Sequence, residues 1–414
     1  MIKVAIIGAG NRGYEAYAPY IIEKEDMEIV SVCDIDEERL NKIRNELDLD
    51  EEYIFNSTDD FFKKMDEKVF CDAVIIATND RNHYSTTMRV LDYPVHVLLE
   101  KPISGNEKEV KDIAKKSENM DRVFMICHVL RYAPFYRKIK ELLDAGEIGD
   151  IVSINHNENI GYYHFAHSFV RGNWSNAEES SPLILQKSCH DMDILLYFIG
   201  KKPTSLSAYG HLTYFKKENQ PEGAASRCLD CKYQDTCVFS SKDFYNSNKG
   251  YGWRNVVTDD PTDEGLKKAL REGPYGRCVF DSTNTVCDHQ AIAIDFENEV
   301  NVVFNLSAFS NEVHRNIKIM GTKGELIGDD ETSEISVRRF KEDSYKTYKV
   351  TSKRGHGGGD YGLMEAFYKA IKGNKEEVLS GAKESILSHL MCFAAEESRL
   401  EHKKINFEEY IKNE

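Results

Sequence analysis

The stretch that decides the fold lies at the start of the chain, where residues 2–13 read IKVAIIGAGNRG. Residues 3–7 form a short apolar run typical of a buried strand, and glycines follow at positions 8, 10 and 13. A segment that can be helical continues to about Lys24. This G-x-G-x-x-G spacing, set between a strand and a helix, predicts a dinucleotide-binding loop: the first glycine permits the tight turn, the second admits the pyrophosphate and the third allows close helix packing.

A second predicted strand, residues 28–33, leads directly to Asp34, which lies 21 residues after Gly13. An acidic side chain at this distance can accept hydrogen bonds from the adenosine ribose, and it would repel the 2'-phosphate of NADP. The sequence therefore predicts NAD rather than NADP. A glycine turn can be purely structural, but the strand, helix, second strand and acidic residue together favour nucleotide binding.

Two further predicted strands end in polar residues. Residues 72–77 lead into Thr78 and Asn79, and residues 95–99 lead into Glu100 and Lys101. In a doubly wound parallel sheet the carboxyl ends of the strands line the ligand crevice, so these side chains are expected beside the glycine loop. The alternative is a charged pair that only caps a strand in solvent.

Composition excludes several classes of protein. A chain of 414 residues is longer than a single hydrophobic core usually supports, which favours two domains. The 54 Lys and Arg against 70 Asp and Glu give a formal charge of -16, which argues against nucleic-acid binding. No stretch approaches a membrane span, and the apolar opening is too short for a signal peptide. We expect a cytoplasmic protein whose ten cysteines are thiols or metal ligands rather than disulfides.

Three segments together resemble the Gfo/Idh/MocA oxidoreductases: GAGNRG, then IIATNDRNHYSTTMRVLDYPVHVLLEKPIS (75–104), then RYAPFYRKIKELLDAGEIGDIVSI (131–154). The resemblance implies an α/β chain with an N-terminal Rossmann domain (1–124). It also implies a C-terminal α+β domain (125–414) with a large open, mainly antiparallel sheet. It further implies NAD and hydride transfer on the CH-OH group of a sugar, sugar acid or polyol, with Lys101 near the nicotinamide and a substrate hydroxyl.

The same resemblance and the strand-end argument give a set of expected site residues. The expected cofactor-binding residues are Gly8, Gly10, Asn11, Arg12, Gly13, Asp34, Thr78, Asn79, His83, Glu100, Lys101 and His128. The expected substrate-binding residues are Lys101, Arg131, His164, His167, Arg171, Trp174, Lys187, His190 and Asp193.

Residues 180–200, SSPLILQKSCHDMDILLYFIG, resemble the family's second catalytic segment. Lys101 and His190 are the expected catalytic residues, and Asp193 shares a helical face with His190 and could orient its ring. Where the family carries an aspartate this chain has Gln186, which cannot take a proton. Lys187 is either a replacement for that aspartate or a solvated lysine.

Residues 159–176, NIGYYHFAHSFVRGNWSN, concentrate histidine, arginine and tryptophan side chains. A flat aromatic face with fixed hydrogen-bond donors suits a sugar, so we expect a substrate loop. The alternative is a surface loop in which Trp174 anchors packing.

An insertion at about 216–286 breaks the family pattern. It carries C-x2-C-x5-C at Cys228, Cys231 and Cys237, with Cys278 downstream and Cys287 as a rival fourth ligand. Four thiolates can close a structural zinc site, and a polar lobe without its own core would gain stability from one. Free thiols are the alternative.

After the insertion, alternating apolar and polar residues predict a half-exposed sheet, and by the family resemblance a homo-oligomer, dimer or tetramer, built on that face. Two rival functions stay open. GHGGGD (355–360) resembles NAD-dependent glycoside hydrolases that oxidise the sugar only transiently. Gln186 also suits a sensor that binds nucleotide without catalysis. For His356 and Asp360 in this stretch a structural role is preferred, with Asp360 as a helix N-cap.

Overall fold

The computed structural model describes residues 1–118, 120–352 and 355–412. They form two compact units. The first comprises Met1–Val152, Cys189–Lys202 and Met320–Phe393, and the second comprises Ser153–Ser188, Pro203–Ile319 and Ala394–Glu414.

The first unit contains a six-stranded parallel sheet. Its strands are β1 (Ile2–Ile7), β2 (Met27–Cys33), β3 (Ile54–Phe55), β4 (Ala73–Ile76), β5 (His96–Leu99) and β6 (Phe124–Ile126). Their order is β3-β2-β1-β4-β5-β6, so the direction of winding reverses between β1 and β4. The strands are almost continuously apolar because helices cover both faces of the sheet.

Five helices flank this sheet, and three of them begin at a side chain that caps free backbone N-H groups. They are α1 (Ala18–Glu23), α2 (Glu37–Leu47), α3 (Thr58–Glu67), α4 (Asp80–Val90) and α5 (Glu107–Ser117). The side chains of Asp36, Ser57 and Asn106 accept backbone N-H groups at the starts of α2, α3 and α5. These caps fix where each helix begins.

A second sheet is mixed and mostly antiparallel, with strand order β14-β13-β12-β11-β7-β10-β9-β8-β15. Its strands are β7 (Ile151–Asn159), β8 (Pro203–His211), β9 (His289–Phe296), β10 (Asn301–Ser307), β11 (His314–Gly321), β12 (Gly324–Asp329), β13 (Glu334–Arg339), β14 (Lys346–Lys349) and β15 (Ile405–Asn406). In β9 and β10 buried and exposed residues alternate, as predicted for a half-exposed sheet.

The remaining α-helices are α6 (Pro134–Asp144), α7 (Tyr162–Phe165), α8 (Leu183–Ile199), α9 (Ser241–Asn246), α10 (Arg254–Val257), α11 (Asp263–Glu272), α12 (Gly359–Ile371), α13 (Ala382–Glu401) and α14 (Phe407–Tyr410). Within the described residues, no helix combines the length and apolar character needed to cross a bilayer.

The insertion differs from the polar lobe that its sequence suggested. Tyr245, Leu266 and Leu270 are buried together, and partly buried aromatic and aliphatic side chains pack around them. The segment therefore has a small apolar core of its own, because helix α11 presents leucines at i and i+4 to the aromatic ring of α9.

The predicted fold class is confirmed: a parallel Rossmann sheet is followed by a mixed, mostly antiparallel sheet. The predicted domain boundary between residues 124 and 125, and the insertion limits near 216 and 286, stay predictions.

Candidate functional site

The glycine loop is shaped so that only its middle glycine has open space. Gly8 has φ +90°, and a Cβ there would lie 2.5 Å from the carbonyl carbon of Ala77. A Cβ at Gly13 would lie 2.1 Å from the Gly8 carbonyl oxygen, whereas at Gly10 its nearest neighbour within 4 Å would be Arg39 Nη1 at 4.0 Å. The backbone at Gly10 can therefore be approached closely, which fits a bound pyrophosphate.

Asp34 follows β2 at the same edge of the sheet and is 8% exposed. Its carboxylate accepts the backbone N-H of Ala9 (2.7 Å) and of Asp36 (3.0 Å). The guanidinium of Arg39 lies 3.1 Å from both carboxylate oxygens. These contacts fix the acidic group beside the glycine loop, where the sequence predicted it.

Glu100, directly after β5, is joined to the glycine loop through Arg12. The Arg12 Nε donates to Glu100 Oε1 at 2.7 Å, and the hydroxyl of Tyr17 donates to the same oxygen. Burial works to raise the pKa of Glu100, but the charges of Arg12 and Lys101 and the Tyr17 hydrogen bond hold it below its ordinary value. Glu100 is therefore a buried carboxylate that ties strand β5 to the loop after β1.

Two residues for which the sequence favoured a structural role also bind Arg12. Asp360 accepts Arg12 Nη2 at 2.7 Å and Nη1 at 3.3 Å, and His356 Nδ1 lies 3.0 Å from both Asp360 oxygens. Burial acts to raise the pKa of Asp360, yet His356 and Arg12 hold it well below its ordinary range. The four-residue spacing of His356 and Asp360 is the one signal that could have paired them.

Lys101 begins a segment held among histidines. The Lys101–Pro102 peptide bond is cis. Burial, then Arg131 and then Lys101 lower the pKa of His128, which is fully buried after β6. Burial and then His128 lower the pKa of His389 on α13 to about 3, with Lys101 contributing. Lys101 is thus close enough to act on two buried, neutral imidazoles.

His190 joins this group in the first unit. Its ring centroid lies 5.7 Å from that of His128 and 6.4 Å from that of His356. The side chain is 6% exposed. The structure therefore brings the two expected catalytic residues, Lys101 and His190, to one cluster of imidazoles, and their catalytic roles stay predictions.

Asp193, which was expected to orient the His190 ring, forms a bidentate ion pair with Arg131. Arg131 donates to Asp193 from Nε (2.6 Å) and Nη2 (2.8 Å), and its Nη1 donates to the Leu379 carbonyl at 2.6 Å. Burial alone would lower the pKa of Arg131, but Asp193 raises it above the ordinary value. Both side chains are buried, so this bidentate ion pair joins α8 to the turn after β6.

The remaining expected cofactor residues surround the start of α4. Asn79 precedes this helix and is exposed, Thr78 is half-buried, and His83 in its first turns is 1% exposed. The side chain of Asn11 in the glycine loop binds Glu15 at 2.7 Å.

In the second unit, the segment expected to bind substrate packs against the insertion. His167 Nδ1 lies 2.6 Å from the Tyr245 hydroxyl, its ring stacks on Tyr275 with centroids 4.6 Å apart, and Trp253 meets it edge-on with centroids 4.6 Å apart. Burial and then Arg171 lower the pKa of His167 to about 3. The imidazole is therefore a neutral member of an aromatic cluster.

Arg171 is buried in the same region and points at backbone oxygens. It donates to the carbonyls of Arg277 and Phe239, each at 2.7 Å, and its Nη2 lies 3.4 Å from Cys228 Sγ. The guanidinium thus connects the 159–176 segment to both ends of the cysteine-bearing insertion.

Three other expected substrate residues lie in this unit. The His164 ring lies 5.0 Å from that of Trp253, and Trp174 is 38% exposed beside Phe169. Lys187 Nζ lies 3.3 Å from the buried carboxylate of Glu158 and is not simply solvated. Contact of these residues with substrate stays a prediction.

None of the four cysteines expected to hold zinc forms a disulfide within the described residues. Cys228 and Cys278 lie next to a backbone bridge between Arg227 and Arg277. The pKa of Cys237 is raised overall, mainly by burial and also by Cys228, while a hydrogen bond from the Phe239 N-H acts in the opposite direction. Within the described part of the chain, no three of the four sulfurs lie within 4.8 Å of one another.

Comparison with known proteins agrees with this geometry. A family model described as "Oxidoreductase family, NAD-binding Rossmann fold" matches residues 2–128, and one described as "Oxidoreductase family, C-terminal alpha/beta domain" matches residues 140–407. The chain belongs to the Gfo/Idh/MocA oxidoreductase family. The resemblance inferred from the sequence is therefore confirmed.

Two relatives and one solved structure show the extent of the similarity. A putative oxidoreductase, YteT, of Bacillus subtilis is 24% identical over 403 residues and covers 92% of each chain. The scyllo-inositol 2-dehydrogenase (NAD+) of the same organism is 24% identical over 215 residues, 51% of this chain and 58% of that protein. A solved oxidoreductase from Agrobacterium radiobacter, in complex with NAD+, L-tartaric acid and magnesium, has a TM-score of 0.70 at 14% identity and covers 99% of both chains, which shows a shared fold.

Proposed function

We propose that this protein is an NAD-dependent oxidoreductase that transfers hydride between nicotinamide and a CH-OH group of a sugar, sugar acid or polyol. The observation that carries the proposal is the placement of Lys101. It follows β5 at the carboxyl edge of the sheet that carries the glycine loop, and it acts on the buried imidazole of His128. Ligands of doubly wound sheets bind at this edge. The inositol dehydrogenase relative supports the substrate class.

Each side chain of the site has its own role in this reaction. Bound NAD+ supplies the hydride acceptor. Lys101 takes the proton of the substrate hydroxyl as the C-H bond breaks, so that the alcohol becomes a carbonyl and the proton leaves through the amine. His190 hydrogen-bonds the same oxygen and holds the hydroxyl in line with the lysine. Glu100 and Arg12 keep the strand and the glycine loop in register without touching the reacting atoms.

Preference for NAD over NADP is part of the proposal. The Asp34 carboxylate is held by the Ala9 N-H, so a 2'-phosphate would meet a fixed negative charge. Arg39 is the cation that a 2'-phosphate could use, but it is already paired with Asp34. We therefore expect tighter binding of NAD than of NADP in a direct titration.

The test combines absorbance at 340 nm with product mass spectrometry, using purified protein, excess NAD+ and panels of polyols, free sugars, sugar acids and glycosides. Net NADH in excess of enzyme, with a product two hydrogens lighter than the substrate, is the expected result. A Lys101→Met variant should lose turnover and keep NAD binding. Aglycone release without net NADH would favour the glycoside hydrolase, and NAD binding without any product would favour the sensor.

We also propose that the cysteine-bearing insertion holds a structural zinc ion. Support comes from the C-x2-C spacing, from the backbone N-H directed at Cys237 and from the buried guanidinium of Arg171 beside Cys228, which would offset thiolate charge. Metal analysis of purified protein should find about one zinc per chain, and Cys231→Ser should lower it. A metal-free, fully folded protein would rule the proposal out.

A homo-oligomer is proposed from the second sheet. Each of β8 and β10 exposes one large apolar side chain: Tyr209 is 66% exposed and Val303 is 45% exposed. Such a face is costly in water unless another surface covers it. Mass photometry should give a dimer or tetramer, and Val303→Lys with Tyr209→Lys should shift the mass toward the monomer. A wild-type monomer would refute the proposal.

A further inference from the structure

His83 makes two close contacts with backbone carbonyls from two different strand ends. It lies in α4 and is 1% exposed. Its Nδ1 lies 2.7 Å from the carbonyl oxygen of Pro102, directly after Lys101. Its Nε2 lies 3.0 Å from the carbonyl oxygen of Thr78, two residues after β4. The imidazole thus spans the ends of strands β4 and β5.

Both partners are acceptors, and this determines how many protons the ring must carry. A backbone carbonyl oxygen has lone pairs and no proton to give, so each ring nitrogen must donate. A neutral imidazole has one N-H, and its second nitrogen would turn a lone pair toward a carbonyl oxygen at hydrogen-bond distance. The doubly protonated imidazolium is the one form that satisfies both contacts in a site closed to water.

An acidic side chain lies on the same face of α4 as His83. Asp80 precedes His83 by three residues in α4, on the same face. Burial raises the pKa of Asp80, while His83 and then Lys101 lower it and Glu100 raises it. Besides His83, the titratable groups that act on Asp80 are Lys101 and Glu100, and the pKa of Asp80 is raised overall because burial outweighs the two cations.

The contact to Pro102 also bears on the segment that contains Lys101. On the far side of the proline, the Ile103 N-H donates to His389 Nε2 at 2.9 Å, and His389 Nδ1 lies 2.8 Å from the Ser385 carbonyl. His389 is a neutral ring that accepts the N-H, whereas His83 donates to the carbonyl. Two imidazoles of opposite role thus fix consecutive backbone groups just after the lysine.

We propose that His83 is a permanently charged imidazolium that bridges the carbonyls of Thr78 and Pro102, and that this bridge positions Lys101. The positioning role rests on the proposed function, because His83 would then position the lysine that takes the substrate proton, whereas the protonation state does not depend on it.

The protonation state is tested by nitrogen-15 NMR of histidine side chains in the full-length protein at pH 8, where an ordinary histidine with a pKa of about 6.5 is neutral. One ring should show two protonated nitrogens, and that signal should vanish in His83→Gln. His402→Gln, which removes an exposed histidine, is the matched control and should leave it in place. If His83→Gln fails to fold, Asp80→Asn identifies the ring by shifting its signals. A single protonated nitrogen on His83 at pH 8 would overturn the inference.

The positioning role is tested by steady-state kinetics with the substrate that the panel assay identifies. Glutamine can donate to only one of the two carbonyls, so His83→Gln should lower kcat roughly 10- to 100-fold. Both ring nitrogens already face carbonyls and neither is left for the cofactor where the sequence had predicted a contact, so KM for NAD+ should be nearly unchanged. His402→Gln should match wild type. Unchanged kcat in a folded His83→Gln protein, or a loss confined to KM for NAD+, would refute the positioning role. Because the NMR result needs no substrate, failure of the proposed function and failure of the imidazolium assignment are distinguishable.

Discussion

Replacing Asp193 with asparagine should destabilise the first unit because it leaves a buried guanidinium without its counter-ion. The side chains of Arg131 and Asp193 are 7% and 1% exposed, and two hydrogen bonds of 2.6 and 2.8 Å join them. Asparagine keeps the shape and one acceptor but removes the negative charge. Breaking a buried ion pair from one side costs about 3–5 kcal/mol.

This loss is large enough to be read from thermal unfolding. For a unit of this size, 1 kcal/mol corresponds to about 2–4 °C, so the melting temperature of the first unit should fall by roughly 6–20 °C. Circular dichroism is the suitable probe because both tryptophans, Trp174 and Trp253, lie in the second unit. Glu264→Gln, which removes one partner of the exposed pair with Lys267, is the control and should melt with wild type.

A melting temperature of Asp193→Asn within about 2 °C of wild type, a shift of less than roughly 1 kcal/mol, would refute the unpaired-charge effect. Equal instability of Asp193→Asn and an Arg131→Met, Asp193→Leu double variant would refute it too. The double variant removes both charges and should recover much of the loss, because the single variant's cost comes from the unpaired charge rather than from the missing contact.

Three further outcomes are expected. Gly10→Ala should keep the wild-type melting temperature but lose the stabilisation that NAD gives in thermal-shift assays, because the added Cβ would occupy the space of the pyrophosphate. Gly252→Ala, whose Cβ also meets open space, is the control and should keep both the melting temperature and the NAD stabilisation. Asp34→Ser should raise the affinity for NADP relative to NAD, and an unchanged ratio in a binding titration would contradict the ribose role. The second unit should weaken as pH falls from 6.5 toward 3, since the pKa of His167 is about 3 folded against 6.5 as the reference value and the unfolded state binds the extra proton. This one ring can change the free energy of unfolding by at most about 1.4 kcal/mol per pH unit, and its full contribution is present above pH 6.5. In urea titrations at several pH values, His167→Phe should flatten this pH dependence. An equally steep dependence in the variant would exclude this histidine as the cause.

Much of the fold could be predicted from the sequence because its signals are local. A strand, three glycines at fixed spacing and an acidic residue after the next strand specify one turn geometry and one sheet edge. The glycine at position 13 illustrates the constraint, since any Cβ there would meet the Gly8 carbonyl at 2.1 Å. Alternation of apolar and polar residues in β9 and β10 likewise reports the half-exposed sheet.

The core of the insertion could not be predicted from local sequence patterns. Its polar composition and cysteine spacing suggested a lobe without a core. In the structure Tyr245 and Leu266 are buried, and His167 from outside the insertion lies among its aromatic rings. Apolar residues spaced over a long polar segment carry no clear period, so the sequence did not reveal that they meet.

The sequence by itself determined the sheet edge on which Gly8, Asp34 and Glu100 lie, because the carboxyl ends of successive parallel strands must come together. Only the tertiary structure decided the partners of the buried charged groups. In the folded protein Asp193 pairs with Arg131, and Asp360 pairs with Arg12 although the two residues lie 348 positions apart in the chain. The physical reason is that a charge removed from water takes whatever counter-ion the packed chain brings within hydrogen-bond distance, and no spacing in the sequence encodes that distance.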